Sequence, residues 1–298
     1  MNDSQPAAGV LFAFGAFLIW GLGPLYWKAL DQVGALEIIM HRIIWSFVFL
    51  FPIIVASRRW GEFKTTITDA KLLSILLITA ILVGGNWLIY VWAVNNGRVL
   101  QASLGYYINP LVNVVLGMVF LKERLRRAQV VAVSLATLGV LNLAFRYGSF
   151  PWVSIALASS FGTYGLVRKM ADVGALVGLT VEMLLLSVPA IFWVSHLLQS
   201  GTGSFLHAGL QTDLLLLGTG IFTATPLLLF NLGAKRITLA SLGFIQYTAP
   251  TGMFLLGITV FNEPFTHVQA LTFGLIWTAL SIYSWDTVRV HRKRGLYP

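Results

Sequence analysis

Long apolar runs separated by short polar segments dominate the sequence. Each run holds roughly 20 mostly apolar residues, the length that an α-helix needs to cross the hydrocarbon core of a bilayer. A membrane β-strand would instead alternate apolar and polar side chains over about 10 residues. The pattern therefore predicts an all-α integral membrane protein with ten transmembrane helices, which in chain order are 7–27, 37–57, 72–94, 103–121, 129–145, 151–168, 175–198, 213–233, 240–260 and 268–285.

The composition supports a membrane protein and excludes several other classes. Of the 298 residues, 57% are hydrophobic and 10% are charged, and the mean hydropathy is +0.80. Soluble domains carry about 25% charged residues, so this chain has too few charges to cover the surface of a soluble enzyme. The apolar excess also excludes intrinsic disorder. Because the chain has no cysteine, disulfides, thiolate metal sites and cysteine nucleophiles are excluded as well.

The basic residues are distributed as the positive-inside rule requires. The net charge is +9, but the charge lies in short runs between apolar segments rather than on one face, so we expect no nucleic-acid partner. With a cytoplasmic N-terminus, the outer loops contain Lys28, Arg98 and Arg146, and Arg42 lies within a span. The inner side then holds Arg58, Arg59, Lys64, Lys71, Lys122, Arg124, Arg126, Arg127, Arg168, Lys169, Lys235, Arg236, Arg289, Arg292, Lys293 and Arg294. We therefore expect both termini to be cytoplasmic.

The second half of the chain repeats motifs of the first at an offset near 140 residues. The recurring features are VGAL at 33–36 and 173–176, ASLG at 102–105 and 240–243, and a proline followed thirteen residues later by a glutamate at Pro110 and Glu123 and at Pro250 and Glu263. We therefore divide the chain into a first five-helix repeat, 1–146, and a second five-helix repeat with a basic tail, 147–298. Because five is odd, the repeats must be inverted relative to each other, as in many secondary transporters.

Several segments resemble the EamA-type permeases of the drug/metabolite transporter superfamily, and more narrowly the RarD group. They are GPLYWK at 23–28, the segment 37–45 with its His41-Arg42 pair, QASLGYYINP at 101–110 and YTAPT at 247–251. The resemblance implies a bacterial inner-membrane permease, usually viewed as an exporter, with a cavity lined by spans 1–4 and 6–9 and with spans 5 and 10 at the periphery. RarD members carry a chloramphenicol-resistance label, which does not establish a physiological substrate.

Two charged residues within the spans are the strongest candidates for function, because such residues cost at least about 2.5–3.5 kcal/mol near a helix centre. Arg42 lies about 7 Å from the outer end of span 2; His41 precedes it, and Trp45 lies one turn beyond His41. Glu182 lies about 10 Å from the inner end of span 7 and is the repeat partner of Arg42. We expect Arg42 and Glu182 to face a central cavity and to pair in at least one state. The alternatives are a snorkelling arginine and a purely structural ion pair.

Glu182 is also the candidate proton-coupling group. Further candidates for substrate binding are polar or aromatic residues on shared helix faces: Lys28, Asn86, Trp87, Tyr90, Tyr106, Asn109, Gln246 and Tyr247. An aromatic-rich cavity with scattered amides suits amphipathic or aromatic solutes. The alternatives are interhelical hydrogen bonds for the amides and a solvated surface role for Lys28.

Other residues are expected to have structural roles. Pro110 and Pro250 match between the repeats, so they are candidate hinges for alternating access, with static kinks as the alternative. Glu123 and Glu263 are expected to cap helices or pair with nearby basic groups. We expect tryptophans near span ends to form an interfacial belt: Trp20, Trp92, Trp193 and Trp285.

The sequence lacks the motifs of nucleotide-driven transport and of common hydrolases. It contains no Walker A motif, no HExxH zinc helix and no GxSxG elbow. We therefore expect no cofactor and no metal. The predicted partners are the bilayer, a small-molecule substrate and, as a candidate coupling ion, the proton. The alternative functions are a non-transporting membrane scaffold and, less favoured, an intramembrane enzyme.

Overall fold

A computed structural model describes residues 6–145, 150–262 and 266–294. These residues form α-helices and connecting loops, and they contain no β-strand. The helices are α1 (Pro6–Gly21), α2 (Gly23–Lys28), α3 (Ala35–Ala56), α4 (Trp60–Thr68), α5 (Ala70–Asn95), α6 (Val99–Phe120), α7 (Arg127–Phe145), α8 (Trp152–Met170), α9 (Ala175–Ser200), α10 (Leu210–Ala234), α11 (Leu239–Gln246), α12 (Thr248–Thr259) and α13 (His267–Arg294).

Seven helical stretches within the described residues are long and apolar enough to cross a membrane. They are Pro6–Lys28, Ala35–Ala56, Ala70–Asn95, Gln101–Phe120, Arg127–Phe145, Ala175–Ser200 and Leu210–Ala234. The other three predicted runs correspond to α8, to α11 with α12, and to α13. These do not meet the same criterion because α8 and α13 are more polar and the run 240–260 is divided into two shorter helices.

Two of the predicted runs contain breaks that hydropathy does not predict. The first run is interrupted at Leu22, between α1 and α2, where Pro24 lies in the first turn of α2. The ninth is interrupted at Tyr247, between α11 and α12. Pro250 lies four residues after Gln246, so it cannot donate a hydrogen bond to that carbonyl, and α11 ends there. Pro110, in contrast, lies inside the continuous helix α6.

The main helix contacts join the first half of the chain to the second. Helix α3 packs against α9 and α10, while α5 and α6 pack against α8. Helix α1 packs against α10, α11 and α12, and α6 also contacts α11. Helix α7 packs mainly on α13. The interior of the bundle is therefore built from both halves together.

Candidate functional site

Arg42 lies in an aromatic environment where helices of the two halves meet. Its guanidinium carbon lies 4.3 Å from the ring centroid of Trp87 on α5 and 5.3 Å from that of Trp27 on α2. Its Nε donates a 3.0 Å hydrogen bond to Thr223 Oγ1 on α10. Among the described ion pairs none includes Arg42, and its side chain is half-buried. The arrangement presents a positive charge over two indole rings.

Tyrosines surround the same charge. Tyr90 and Tyr106 lie within electrostatic range of Arg42, and their rings are 6.0 Å apart in an edge-to-face arrangement. Both side chains remain more than one third exposed, at 36% and 39%. Arg42, Trp87, Tyr90 and Tyr106 thus lie close together, and they offer aromatic surface beside a cation.

His41 and Trp45 lie beneath the loop that joins α9 to α10. Trp45 Nε1 donates a 3.1 Å hydrogen bond to His41 Nδ1. The ring of Phe205, from that loop, packs on His41 at 4.7 Å and on Trp45 at 6.2 Å between centroids. Glu37 holds the loop, because its Oε1 accepts hydrogen bonds from the backbone N–H groups of Ser204 at 2.7 Å and Phe205 at 3.1 Å. The loop therefore covers this end of α3.

Glu182 pairs with Arg168 rather than with Arg42 in this structure, and its pairing with Arg42 in another state stays a prediction. Glu182 is fully buried, and its Oε1 lies 3.3 Å from Nε of Arg168, which is also fully buried. Thr79 donates a 2.6 Å hydrogen bond to the same carboxylate oxygen, and Tyr164 donates a 3.2 Å bond to the other. Asn231 Nδ2 donates to the Tyr164 hydroxyl at 2.9 Å. The carboxylate thereby links α5, α8, α9 and α10.

Arg168 is the functional candidate that sequence reasoning missed. It is the last residue of the predicted run 151–168 and is counted above with the basic residues of the inner side. In the structure it lies in the last turn of α8, and its guanidinium reaches α9, where it donates to the carbonyl of Ala175 at 3.3 Å. Gly178 makes room for it, since a Cβ there would collide with the guanidinium. The sequence signal that could have identified Arg168 is Glu182, because a buried acid needs a cation. Arg168 lies in the last turn of α8, the helix that precedes α9.

The predicted amide residues make interhelical hydrogen bonds. Asn86 donates to the Leu157 carbonyl and to Ser160 Oγ, each at 2.9 Å. Asn109 donates to the Ala158 carbonyl at 2.7 Å, and Gln246 accepts from Asn113 at 2.9 Å. These bonds join α5 and α6 to α8 and join α6 to α11.

Three other predicted residues lie apart from Arg42 or have a different setting. Tyr247 is fully buried, and its hydroxyl donates to the Tyr107 carbonyl at 3.3 Å. Lys28 is exposed at the end of α2, with its ammonium 4.7 Å from the ring centroid of Phe261. Trp20 was expected at the membrane interface, but it packs inside the bundle against Phe161 and Phe230, at 5.7 and 6.0 Å between centroids.

Glu123 caps a helix, as predicted. Its carboxylate accepts hydrogen bonds from the backbone N–H groups of Leu239 at 2.7 Å and Ala240 at 3.0 Å, at the start of α11. A cavity of about 170 Å³ lies beside Glu123, between the start of α11 and α13, and Arg42 does not line it. Its predicted counterpart Glu263 and the predicted outer-loop residue Arg146 lie outside the described residues.

Comparison with known proteins places the chain among transporters. Residues 7–145 match the EamA-like transporter family. A Salmonella typhi protein named RarD is 45% identical, with 99% of this chain and 100% of that protein covered. The Bacillus subtilis (strain 168) protein named uncharacterized transporter YojE is 46% identical, with 98% of each chain covered. A Pseudomonas aeruginosa protein named chloramphenicol-sensitive protein RarD is 30% identical, with 96% of this chain and 97% of that protein covered.

A solved crystal structure has a similar fold. It superimposes with a TM-score of 0.75 over 96% of this chain and 99% of that one, at 18% sequence identity. The likeness supports the arrangement of the helices.

Proposed function

Because the chain belongs to the EamA-type permeases, in their RarD group, we propose that it is a secondary-active or facilitative exporter of small organic metabolites or amphipathic, drug-like compounds. It is a bacterial membrane protein, and the names of its relatives support its assignment as a membrane transporter. In our proposal it lies in the inner membrane with both termini in the cytoplasm and works by alternating access. The observation that carries the proposal is Arg42, a charge held between aromatic rings where the two halves meet.

We further propose ten spans in two inverted five-helix repeats, 1–146 and 147–298. The packing of the helices supports this, because exchanging each helix for its counterpart in the other half reproduces the main interfaces. The contact of α3 with α10 corresponds to that of α9 with α5. The contact of α6 with α8 corresponds to that of α11 and α12 with α1. The interfaces of α3 with α9, of α6 with α11 and of α7 with α13 each join a helix to its own counterpart, so the exchange leaves them unchanged. In transporters with inverted repeats the substrate site lies between the halves, and we propose the same location here.

The proposed substrate site is centred on Arg42, with the aromatic side chains of Trp87, Tyr90 and Tyr106 around it. The proposed proton-coupling group is Glu182, because protonating its carboxylate would remove the negative charge that Arg168 faces. That change would loosen a network that spans α5, α8, α9 and α10. In our proposal these helices move when access changes. Pro110 and the break before Pro250 are the proposed bending points.

The test is flux into proteoliposomes, with and without an imposed pH gradient. The panel contains amino acids, aromatic amines, aromatic carboxylates and chloramphenicol, and protein-free liposomes give the background. We expect saturable flux of at least one class. Gradient-stimulated flux that becomes indifferent to the gradient in Glu182→Gln supports proton coupling, whereas full gradient-driven flux in that variant removes Glu182 from this role. Absence of saturable flux across the panel would favour the scaffold alternative.

A further inference from the structure

The guanidinium of Arg42 lies beside two indole rings and has an edge without an assigned partner. Its central carbon lies over the rings of Trp87 and Trp27, and its Nε donates to Thr223. The described contacts assign no hydrogen bond to its terminal amino groups, Nη1 and Nη2. Because guanidinium donors form a rigid, planar fork, a ligand approaching this arginine must meet that edge.

The electrostatics of the site determine which sign of charge a ligand must carry. Arg168 has the carboxylate of Glu182 as its partner, while the described ion pairs give Arg42 no acidic partner. A fixed positive charge among indole and phenol rings repels a cation and attracts an anion, and the interaction is stronger there than in bulk water. A planar carboxylate matches the fork through two parallel N–H···O bonds.

We infer that the free edge of Arg42 binds the carboxylate of an organic anion whose aromatic or apolar body lies against Tyr90 and Tyr106. The inference rests on the proposed transport function and names its substrate class. The exposed parts of the two tyrosine rings supply the surface for the body of the ligand. Thr223 is a positioning residue, since its bond to Nε fixes the direction in which the fork points.

Binding to the purified full-length chain in nanodiscs tests the inference without requiring flux. The probes are phenylacetate, indole-3-acetate and 4-phenylbutyrate, each compared with its uncharged primary amide and with the phosphonate of matching body by isothermal titration calorimetry. We expect at least one carboxylate to bind about tenfold or more tightly than its amide, the change produced by losing one charge-assisted hydrogen bond. If the amides bind as tightly as the acids, or no acid in the panel binds, the inference is overturned; a tighter phosphonate would assign the edge to phosphate-like anions instead and also overturn it.

Variants separate the role of Arg42 from a general effect on folding. Arg42→Gln is expected to weaken carboxylate binding about tenfold or more while leaving amide binding unchanged, and Arg42→Lys to retain part of the preference for the acid. Thr223→Val keeps the charge and should reduce the preference less than Arg42→Gln. The matched control is Arg98→Gln, because Arg98 also lies over two indole rings, those of Trp92 and Trp152 at 5.5 and 5.7 Å, but in a predicted outer loop.

The outcomes distinguish this inference from the proposed function. Carboxylate binding that depends on Arg42, without flux in proteoliposomes, would support the inference and contradict transport. Saturable flux of amines or neutral solutes that is unchanged in Arg42→Gln would support transport and overturn the inference.

Discussion

At the scale of single residues, two interior arginines have opposite surroundings. Arg168 is fully buried and faces the carboxylate of Glu182, whereas Arg42 is half-buried and rests on indole rings with a threonine as its hydrogen-bond partner. A neutralised pair suits a structural or switching role, because its attraction depends on both charges. An arginine stabilised by rings keeps its charge available to a ligand. Glu182 therefore pairs with Arg168 here, and Arg42, its predicted partner, has no acidic partner among the described ion pairs.

Glu182→Gln is expected to destabilise the protein strongly. Glutamine can still accept the hydrogen bond of Thr79, but Arg168 would keep a buried charge without a counter-charge. Breaking a buried pair in this way costs about 3–5 kcal/mol. Thermal unfolding of the purified protein in detergent measures the loss, and the double variant Arg168→Gln with Glu182→Gln should recover part of it.

An exposed ion pair supplies the control for Glu182→Gln. Arg126 and Asp286 form an ion pair in which the arginine side chain is 41% exposed. Asp286→Asn should cost about 0–1 kcal/mol, as exposed pairs do. Equal melting shifts for the two neutralising variants would contradict the assignment of Glu182 to a buried network.

Candidate functional residues were predictable from the sequence where a charged residue interrupts an apolar run. Arg42 and Glu182 were found because each lies inside an apolar run. Their partners were not predictable, because pairing depends on how a turn directs the chain, and the turn after α8 brings Arg168 to Glu182. Trp20 shows the same limit, since its sequence position near a span end does not reveal that it packs against Phe230.

At the scale of helices, α3 and α10 are held in close contact by a glycine. A Cβ at Gly220 would collide with the backbone of Trp45, and Ser46 Oγ donates a 3.1 Å hydrogen bond to the Gly220 carbonyl. We expect Gly220→Ala to destabilise the protein by about 1–3 kcal/mol, because backbone atoms cannot move aside as a flexible side chain does. Gly85→Ala is the control, since a Cβ at Gly85 on α5 meets open space. Equal melting temperatures for the two variants would contradict the close packing.

The loop from α9 to α10 should open when the carboxylate of Glu37 is removed. Glu37 accepts two backbone N–H bonds from this loop, and hydrogen bonds to a charged group each contribute about 1.5–3 kcal/mol. In Glu37→Gln we expect hydrogen exchange of a peptide covering 201–209 to accelerate about tenfold or more, measured by mass spectrometry. Glu62→Gln is the control, because Glu62 contacts Gly174 in a different loop. Unchanged exchange in Glu37→Gln would show that Phe205 packing alone holds the loop.

Helix positions were predictable because a membrane span needs an apolar run of defined length, and each predicted run overlaps one or two helices of the structure. Breaks inside the runs were less predictable. Pro110 and Pro250 match in the sequence, yet α6 continues through Pro110 while the helix is divided before Pro250. A proline removes one hydrogen bond in either place, and the neighbouring helices decide whether the chain bends or breaks.

At the scale of the whole molecule, the two halves depend on each other. Glu123 of the first half caps α11 of the second, and Glu182 of the second half holds Thr79 of the first. Neither half encloses these groups alone. The proposed alternating access between inverted repeats would exchange one set of these contacts for its counterpart in the other half.

The proposed inversion of the two halves predicts that equivalent loops lie on opposite faces of the membrane. Thr68 follows the second predicted span and Thr202 follows its repeat counterpart, the seventh, and both side chains are exposed. Because the chain has no native cysteine, single Thr68→Cys and Thr202→Cys variants carry no background thiol. A membrane-impermeant maleimide should label Thr202→Cys in intact spheroplasts and Thr68→Cys in inverted vesicles. Asn96→Cys, in a predicted outer loop of the first half, should be labelled in intact spheroplasts, as Thr202→Cys is. Labelling of Thr68→Cys and Thr202→Cys from one side would mean that the repeats run parallel, and the pseudo-two-fold site at Arg42 would lose its geometric basis.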